Sequence, residues 1–348
     1  MRISVSLALA VFLQSAVLFA QEEEKRWAAW QLYWENDEFV AGSGTDEYYT
    51  NGLRFSWVRN PNTVSNPEWT TNFVDHWCKS RITRRLCLDV PVDVGYGHAF
   101  GQNFYTPDDI TDPNPQPDDR PWAGYLYYSW LLQATHHTTQ PVQNLFEAQV
   151  GLVGPWSGGE FIQREWHGLE FIDAPEPRGW DNQLENEPTA NLFYLWRKKL
   201  GSTSFDIVPH AGGTLGTVMT SANLGATIRL GRNISSFPQL LITPSNAGTQ
   251  NFPKKIEYYM FVAADGRAVG HNIFLDGSLF RDGPEIDIDK ETFVYDLKAG
   301  LAWRYKAWRI DYSFVRRSEE FASPLGRDDR THDFGSITFS YQLWRPSM

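Results

Sequence analysis

Apolar and polar residues alternate with a period of two along most of the chain. In one such run, Phe146, Ala148 and Val150 alternate with Glu147 and Gln149. This pattern predicts β-strands with one apolar face and one polar or charged face. The alternating runs, which are separated by turn-rich connections, predict strands at 27–36, 50–59, 89–103, 122–135, 143–154, 189–200, 204–217, 222–231, 255–266, 293–304, 307–317 and 333–344.

Strands of this kind predict an all-β fold, a single closed antiparallel transmembrane barrel of about twelve strands. Residues 271–280 form a further apolar run, which we assign to a long loop because such barrels have an even number of strands. A soluble ligand-carrying barrel would turn its apolar face inward, whereas a membrane barrel presents that face to lipid. The 15 Trp, 15 Tyr and 22 Phe favour the membrane barrel, and charges of both signs on the opposite face predict a plugged or narrow lumen.

The first residues indicate export. Residues 1–20 contain one early Arg and a long apolar run, and the charged segment EEEKR follows. This is typical of a secretory signal peptide, with an uncleaved anchor helix as the alternative. We therefore expect residues 21–348 to form a barrel in the outer membrane of a Gram-negative bacterium.

The connection around 60–88 is predicted to be an insertion on the periplasmic side, because both ends of a barrel with an even number of strands lie there. It contains the two cysteines of the chain, Cys78 and Cys87. In an exported protein this pair predicts one local disulfide, since a metal site would need further ligands nearby. The net charge of −11 argues against nucleic acid as a partner.

The tip of the first predicted hairpin is rich in oxygen-bearing side chains. Asn36 and Asp37 belong to the stretch WENDEF, and Thr50 precedes the second strand in YYTNGL. Amide, carboxylate and hydroxyl oxygens are ligands that calcium accepts. From these residues alone, a calcium site and a polar tip held by its own hydrogen bonds both remain open.

His167 is the histidine with the most suggestive surroundings. It follows the Gly-rich stretch GPWSGG in the third predicted outer loop, in a segment dense with Arg, Glu and Asp. A histidine there could act as a general base near neutral pH. The other histidines lie in or beside predicted strands, in polar turns or in the insertion, where a structural role suffices.

Several of these stretches together resemble the LpxR family of lipid A 3′-O-deacylases. The resemblance rests on WENDEF, YTNGL, GQNFYTP, DRPWAGYLY, the segment from GPWSGG to His167, and QLEN. It implies a twelve-stranded outer-membrane barrel that uses calcium to hydrolyse the 3′-linked acyloxyacyl ester of lipid A. It also implies that Asn36, Asp37, Thr50 and His167 occupy the family's active-site positions, with Asp37 and Asn36 near the metal.

The second predicted outer loop departs from that family. Its segment 106–119 contains five Asp and no Lys or Arg, where the family has basic residues that hold the substrate. Carboxylates there would repel lipid A phosphates unless divalent cations bridge them. Arg120 and Arg164 are the remaining candidates for a phosphate contact, and the substrate could be a different acylated lipid.

The sequence thus predicts a calcium-dependent carboxylic ester hydrolase acting on lipid A of lipopolysaccharide, with His167 as the general base. We expect a monomer whose active site faces outward among the lipids of the outer membrane. An outer-membrane phospholipase that acts on glycerophospholipids is one alternative. A non-catalytic structural or narrow-channel barrel is the other.

Overall fold

A computed structural model describes residues 27–36, 39, 48–59, 66–168, 175–235, 237–238, 256–280, 283–322 and 331–342. Twelve long strands pair antiparallel in one sheet. The first strand pairs with both the second and the last, and the sixth pairs with the seventh, so the sheet closes into a barrel. The predicted fold is therefore confirmed. The strands are β1 (Trp27–Asn36), β2 (Tyr48–Arg59), β3 (Val92–Thr106), β4 (Ala123–His136), β5 (Val142–Val153), β6 (Glu187–Lys198), β7 (Phe205–Gly216), β8 (Met219–Arg232), β9 (Glu257–Asn272), β10 (Phe293–Tyr305), β11 (Trp308–Arg317) and β12 (His332–Gln342).

Short elements occupy the connections. Among the described residues, no helix is both long and apolar enough to cross a bilayer. The two-residue strand Leu200–Gly201 pairs with β7, and Asp289–Lys290 pairs with Phe321–Ala322. The helices are α1 (Glu68–Lys79), α2 (Gly159–His167) and α3 (Ile273–Asp276), and 3₁₀ turns lie at Arg84–Leu86, Pro155–Ser157 and Trp180–Asn182.

The two faces of each strand have the chemistry that the alternation predicts. Along β10, Phe293, Leu297 and Leu301 are exposed on the outer surface, whereas Asp296 and Lys298 are buried on the lumen side. An apolar exterior with charges inside is the arrangement of a barrel that faces lipid. The same charges would be costly on the outer surface of a barrel in a membrane.

Ion pairs fill much of the lumen. The Asp296 carboxylate accepts hydrogen bonds from Arg317 Nε at 2.8 Å and from Arg267 Nη2 at 2.7 Å. On other strands, Arg54 donates two hydrogen bonds to the Glu147 carboxylate, at 3.0 and 3.1 Å. Each of these buried charges thus has a partner of opposite sign, as burial in a low dielectric requires.

Helix α3 closes the lumen at the end where β1 finishes, which we call the site end. Its Phe274 stacks on Tyr105 of β3 with ring centroids 4.0 Å apart. Phe274 also belongs to one buried cluster with Val315 of β11 and Phe334 of β12, so it bridges opposite walls. The lumen is therefore plugged, as the charge pattern predicts.

Predicted strand boundaries differ mainly at the site end. The alternation predicts a strand over 255–266 followed by a long loop, but β9 continues to Asn272 because its pairing with β8 resumes after a register shift between Val269 and His271. The first residues of the extra run 271–280 extend β9, and α3 follows, so the run adds no thirteenth long strand.

The connection between β2 and β3 holds α1 at the end opposite the site end. Cys78 of α1 and Cys87 after the following 3₁₀ turn form a disulfide. The predicted signal peptide at 1–20 and most of the first hairpin tip lie outside the described residues.

Candidate active site

Asn36 is the last residue of β1, and it lies on the lipid-facing surface of the barrel wall. Gln31, Tyr33 and Glu35 are buried on the lumen side of this strand, and side chains alternate between faces, so Asn36 belongs to the opposite face. In the sheet register Asn36 lies beside Asn51 of β2. Asn36 is nevertheless only 4% exposed, so neighbouring segments cover it.

The structure describes the other two predicted hairpin residues less fully. Thr50 lies in β2, at a register shift with β3 between Tyr49 and Asn51. Its backbone is therefore next to Asn51, the neighbour of Asn36. Asp37 follows Asn36 directly in the chain and lies outside the described residues.

Helix α2 lies against the outside of β3 and β4. Gln102 of β3 donates a hydrogen bond from Nε2 to the Ser157 carbonyl oxygen at 2.6 Å. A Cβ on Gly124 of β4 would collide with Ser157 Oγ and lie 3.3 Å from Gly159 Cα. Gly158, with φ of 72°, turns the chain into α2 in the left-handed region that favours glycine. The glycines of this stretch thus let the helix approach the wall closely.

The last turn of α2 reaches β1. The Trp166 ring meets the Trp34 ring edge to face, with centroids 5.5 Å apart. Trp34 also donates from Nε1 to Asn51 Oδ1 at 3.1 Å. Trp34 is two residues before Asn36 and Trp166 is next to His167, so this contact brings two sequence-distant predicted stretches together.

The hydrogen bond at Nδ1 of His167 determines the tautomer of its neutral ring. The Nδ1 atom lies 2.6 Å from the carbonyl oxygen of Pro175. A carbonyl oxygen only accepts hydrogen bonds, so Nδ1 is the donor and Nε2 carries the lone pair in the neutral ring. A histidine held in this tautomer can accept a proton at Nε2.

The loop after α2 packs on the buried face of the helix, beside the barrel wall. Trp180 Nε1 donates to Gln163 Oε1 of α2 at 2.8 Å. The Trp122 and Trp180 rings lie 5.1 Å apart, in one buried cluster with Phe104 and Ile110. Helix α2 is therefore held by contacts with both the barrel wall and this loop.

Three carboxylates of the acidic second loop hold the loop itself together. Asp109 accepts from the Thr111 backbone and hydroxyl at 2.9 and 2.7 Å, and Asp112 accepts twice from Asn114 at 2.9 and 2.7 Å. Asp119 caps the Arg120 backbone N–H at 2.7 Å. Turn formation therefore accounts for part of the acidic composition.

Arg120 lies inside the plugged end and not on the outer wall. Its guanidinium pairs with Glu320 at 2.7 Å, sits 5.3 Å from the Tyr105 ring centroid, and is 1% exposed. Burial would raise the pKa of the Glu320 carboxyl, but Arg120 and Arg317 lower that pKa to about 2. A phosphate could therefore bind Arg120 only if the pair with Glu320 broke.

Arg164 remains available to a ligand. It lies on α2, one turn before His167, and is about half exposed in a pair with Glu160 at 3.2 Å. An exposed pair of this kind contributes little stability, so exchanging the carboxylate for a phosphate costs little.

Sequence reasoning did not single out Trp34, Trp166 and Gly124, which position the site. Their signal is indirect, since each lies inside a stretch that carries the resemblance: Trp34 in WENDEF, Gly124 in DRPWAGYLY, and Trp166 directly before His167. Nothing in the sequence shows that these two rings meet.

We predict that Gly124→Ala loosens α2 and leaves the barrel folded. The new Cβ would overlap Ser157 Oγ, and overpacking of this kind typically costs about 1–3 kcal/mol. Hydrogen exchange of peptides from 157–167 should accelerate by about tenfold or more, since 1.4 kcal/mol is a factor of ten. Gly266→Ala is the control, because its Cβ would lie 3.8 Å from the nearest heavy atom; equal exchange in both variants would contradict the docked helix.

Comparisons with known proteins agree with the fold. A family model described as outer membrane protein LpxR matches residues 5–343. The solved structure of LpxR from Salmonella typhimurium matches with a TM-score of 0.68 at 16% identity, covering 90% of this chain and 99% of that chain. The β-domain of the Bordetella autotransporter BrkA reaches a TM-score of 0.42 at 10% identity, covering 91% of this chain and 98% of that one. No curated protein sequence matches significantly.

Proposed function

Because the chain belongs to the LpxR family of outer-membrane proteins, we propose that it hydrolyses the 3′-acyloxyacyl ester of lipid A, with calcium and with His167 as the general base. The proposal rests on the contact between Trp34 and Trp166, which joins the β1 motif to the His167 segment. This contact lies on the lipid-facing surface of the barrel wall. A lipid in the surrounding leaflet would reach it without entering the plugged lumen.

In the proposed reaction His167 acts first as the general base and then as the general acid. Its Nε2 takes a proton from a water molecule whose oxygen attacks the ester carbonyl carbon. The bond between that carbon and the 3′ oxygen of the sugar then breaks, and the proton returns from Nε2 to this oxygen. The products are an acyloxy fatty acid, which keeps its secondary acyl group, and a sugar hydroxyl. The hydrogen bond to the Pro175 carbonyl supports the assignment because it orients the ring.

The oxygen donors of the first hairpin fit a hard cation. Asn36, Asp37 and Thr50 offer amide, carboxylate and hydroxyl oxygens, and the set has none of the sulfur or imidazole donors that softer metals prefer. We propose Asp37 and Asn36 as calcium ligands, with Thr50 beside them. A bound calcium ion would supply positive charge that polarises the ester carbonyl.

The substrate side of the proposal rests on position and charge. Arg164 offers an exposed guanidinium on the same helix as His167, and guanidinium groups bind phosphate well. We propose that the barrel works as a monomer with this site in the outer leaflet, where lipopolysaccharide lies.

We predict that the purified protein removes the 3′-acyloxyacyl chain from lipid A in the presence of calcium, and that a chelator abolishes the reaction. Mass spectrometry of the lipid A before and after incubation measures the loss, and the released acyloxy fatty acid is its second product. Readdition of calcium should restore activity, whereas magnesium, which demands stricter geometry, should restore less.

Parallel incubations with glycerophospholipids separate the alternatives. Release of fatty acid from them and not from lipid A would replace the proposal with a phospholipase. Absence of hydrolysis of either lipid with calcium present would favour a non-catalytic barrel, and deacylation that resists the chelator would remove calcium from the mechanism.

A further inference from the structure

Helix α1 lies on the outer face of the barrel, at the end opposite the site end. Its Trp69 packs edge to face on Tyr96 of β3, with centroids 5.5 Å apart. Trp77 contacts Phe146 of β5 and Tyr194 of β6, each at 4.9 Å. The helix therefore crosses the outside of the wall from β3 to β6.

The wall exposes apolar residues just beyond this helix. On the same strand faces, Phe100 of β3, Val150 of β5 and Leu192 of β6 are exposed. They lie two to four residues farther along their strands than the contacts of α1, which corresponds to about 7–13 Å. Helix α1 thus lies at the edge of the lipid-facing band.

Several apolar side chains of this segment remain uncovered by the barrel. Ile82 is 88% exposed, Trp69 is 51% exposed and Phe73 is 40% exposed. Aromatic and aliphatic side chains on a helix at the membrane edge are typical of segments that lie in the interface.

A basic cluster accompanies these apolar residues. Lys79, Arg81, Arg84 and Arg85 are all exposed, and no acidic residue lies between positions 79 and 87. Lys79 pairs with Asp75 at 2.7 Å, whereas the three arginines form no ion pair with a described carboxylate. In a chain of net charge −11 this local excess is unusual.

The basic cluster is fixed to the barrel. The disulfide of Cys78 and Cys87 ties its two ends together. Asn144 of β5 donates from Nδ2 to the Leu86 carbonyl at 3.2 Å, and the Leu88 N–H donates to His136 Nδ1 of β4 at 3.4 Å. The segment that carries the arginines is therefore fixed in position against the barrel wall.

We propose that residues 68–87 form a platform that binds anionic glycerophospholipid headgroups. Guanidinium groups bind phosphate in two-pronged geometry, and neighbouring apolar side chains enter the acyl boundary. The choice of leaflet rests on the proposed function: if the active site faces outward, this end meets the periplasmic leaflet, which consists of glycerophospholipids. Charge complementarity and the position at the lipid edge support a lipid over a protein partner.

The test titrates the detergent-purified full chain with phosphatidylglycerol, and with phosphatidylcholine of the same acyl chains, by native mass spectrometry. The wild type should retain phosphatidylglycerol preferentially. The variant Arg81→Gln/Arg84→Gln/Arg85→Gln should lose affinity by about fivefold for each charge removed. The charge-matched control Lys198→Gln/Arg232→Gln/Lys306→Gln removes three other cations at the same end and should keep wild-type affinity.

A second readout is hydrogen exchange in nanodiscs. Peptides from 68–87 should be better protected when phosphatidylglycerol is present than in phosphatidylcholine alone, in the wild type and not in the Arg81→Gln/Arg84→Gln/Arg85→Gln variant. Equal binding of the two lipids, or equal losses in the two triple variants, would overturn the proposal. Neither readout requires lipid A hydrolysis, so failure of this proposal is distinguishable from failure of the proposed enzyme activity.

Discussion

Replacing His167 by Gln is expected to lower the rate of lipid A deacylation by about 10²–10⁴-fold, the usual contribution of a general base. Glutamine is of similar size and places its amide near the position of Nε2, while the hydrogen bond from His167 Nδ1 to the Pro175 carbonyl at 2.6 Å is lost. Its amide cannot accept a proton at neutral pH. The expected loss is therefore in the chemical step, with folding and substrate binding preserved.

The measurement is the initial rate of fatty acid release from lipid A at saturating calcium, with the folded barrel quantified by its shifted mobility on unheated gels. His76→Gln is the matched control, because His76 lies exposed on α1 at the opposite end. A His167→Gln enzyme with wild-type turnover would show that another group takes the proton. A low rate accompanied by a lost barrel would instead place His167 in folding.

Replacing Asp296 by Asn is expected to destabilise the barrel by about 3–5 kcal/mol, as removal of one partner from a buried ionic cluster typically does. Asp296 is fully buried and bonds to Arg317 and Arg267 at 2.8 and 2.7 Å, with Lys298 at 3.8 Å. Asparagine keeps the shape but removes the carboxylate that lies between three cations, which leaves only the more distant Glu320, 3.7 Å from Arg317, and Asp265, 4.0 Å from Arg267, to balance their charge. Repulsion in a low dielectric makes this costly.

The free energy of unfolding in urea, from protein folded into lipid vesicles, tests this prediction. Asp75→Asn is the control, since it removes an exposed carboxylate paired with Lys79 at 2.7 Å and should change stability by less than about 1 kcal/mol. If both variants unfold at the same urea concentration as the wild type, the cluster around Asp296 does not hold the lumen together.

The local alternation of apolar and polar residues is sufficient to predict the barrel. The alternation in 293–304 predicts one strand, and β10 spans Phe293–Tyr305 with Asp296 inward and Leu297 outward. Each strand carries this signal within a few residues, because a pleated strand turns successive side chains to opposite faces. Strand ends were less accurate, as in β9, because pairing with a neighbour continues where the alternation stops.

The candidate site was only partly accessible to the same reasoning. The sequence brought attention to Asn36 and His167, and the structure joins their segments through Trp34 and Trp166. The structure also places Arg120 away from the candidate site, in an ion pair with Glu320, which lies 200 positions later in the chain. Which residue lies opposite another across the sheet or the lumen depends on how the barrel closes. A local sequence pattern therefore cannot predict it.

The amino-acid sequence by itself determined the strands, their number and the chemistry of their two faces, because those properties depend on neighbours two positions apart. Only the tertiary structure decided that the candidate site lies on the outer wall and that Arg120 belongs to the plug. The side of the wall depends on strand register, since a shift by one residue exchanges the two faces. Long-range contacts such as Trp34 with Trp166 exist only once the twelve strands close and a glycine-lined surface lets α2 settle against them.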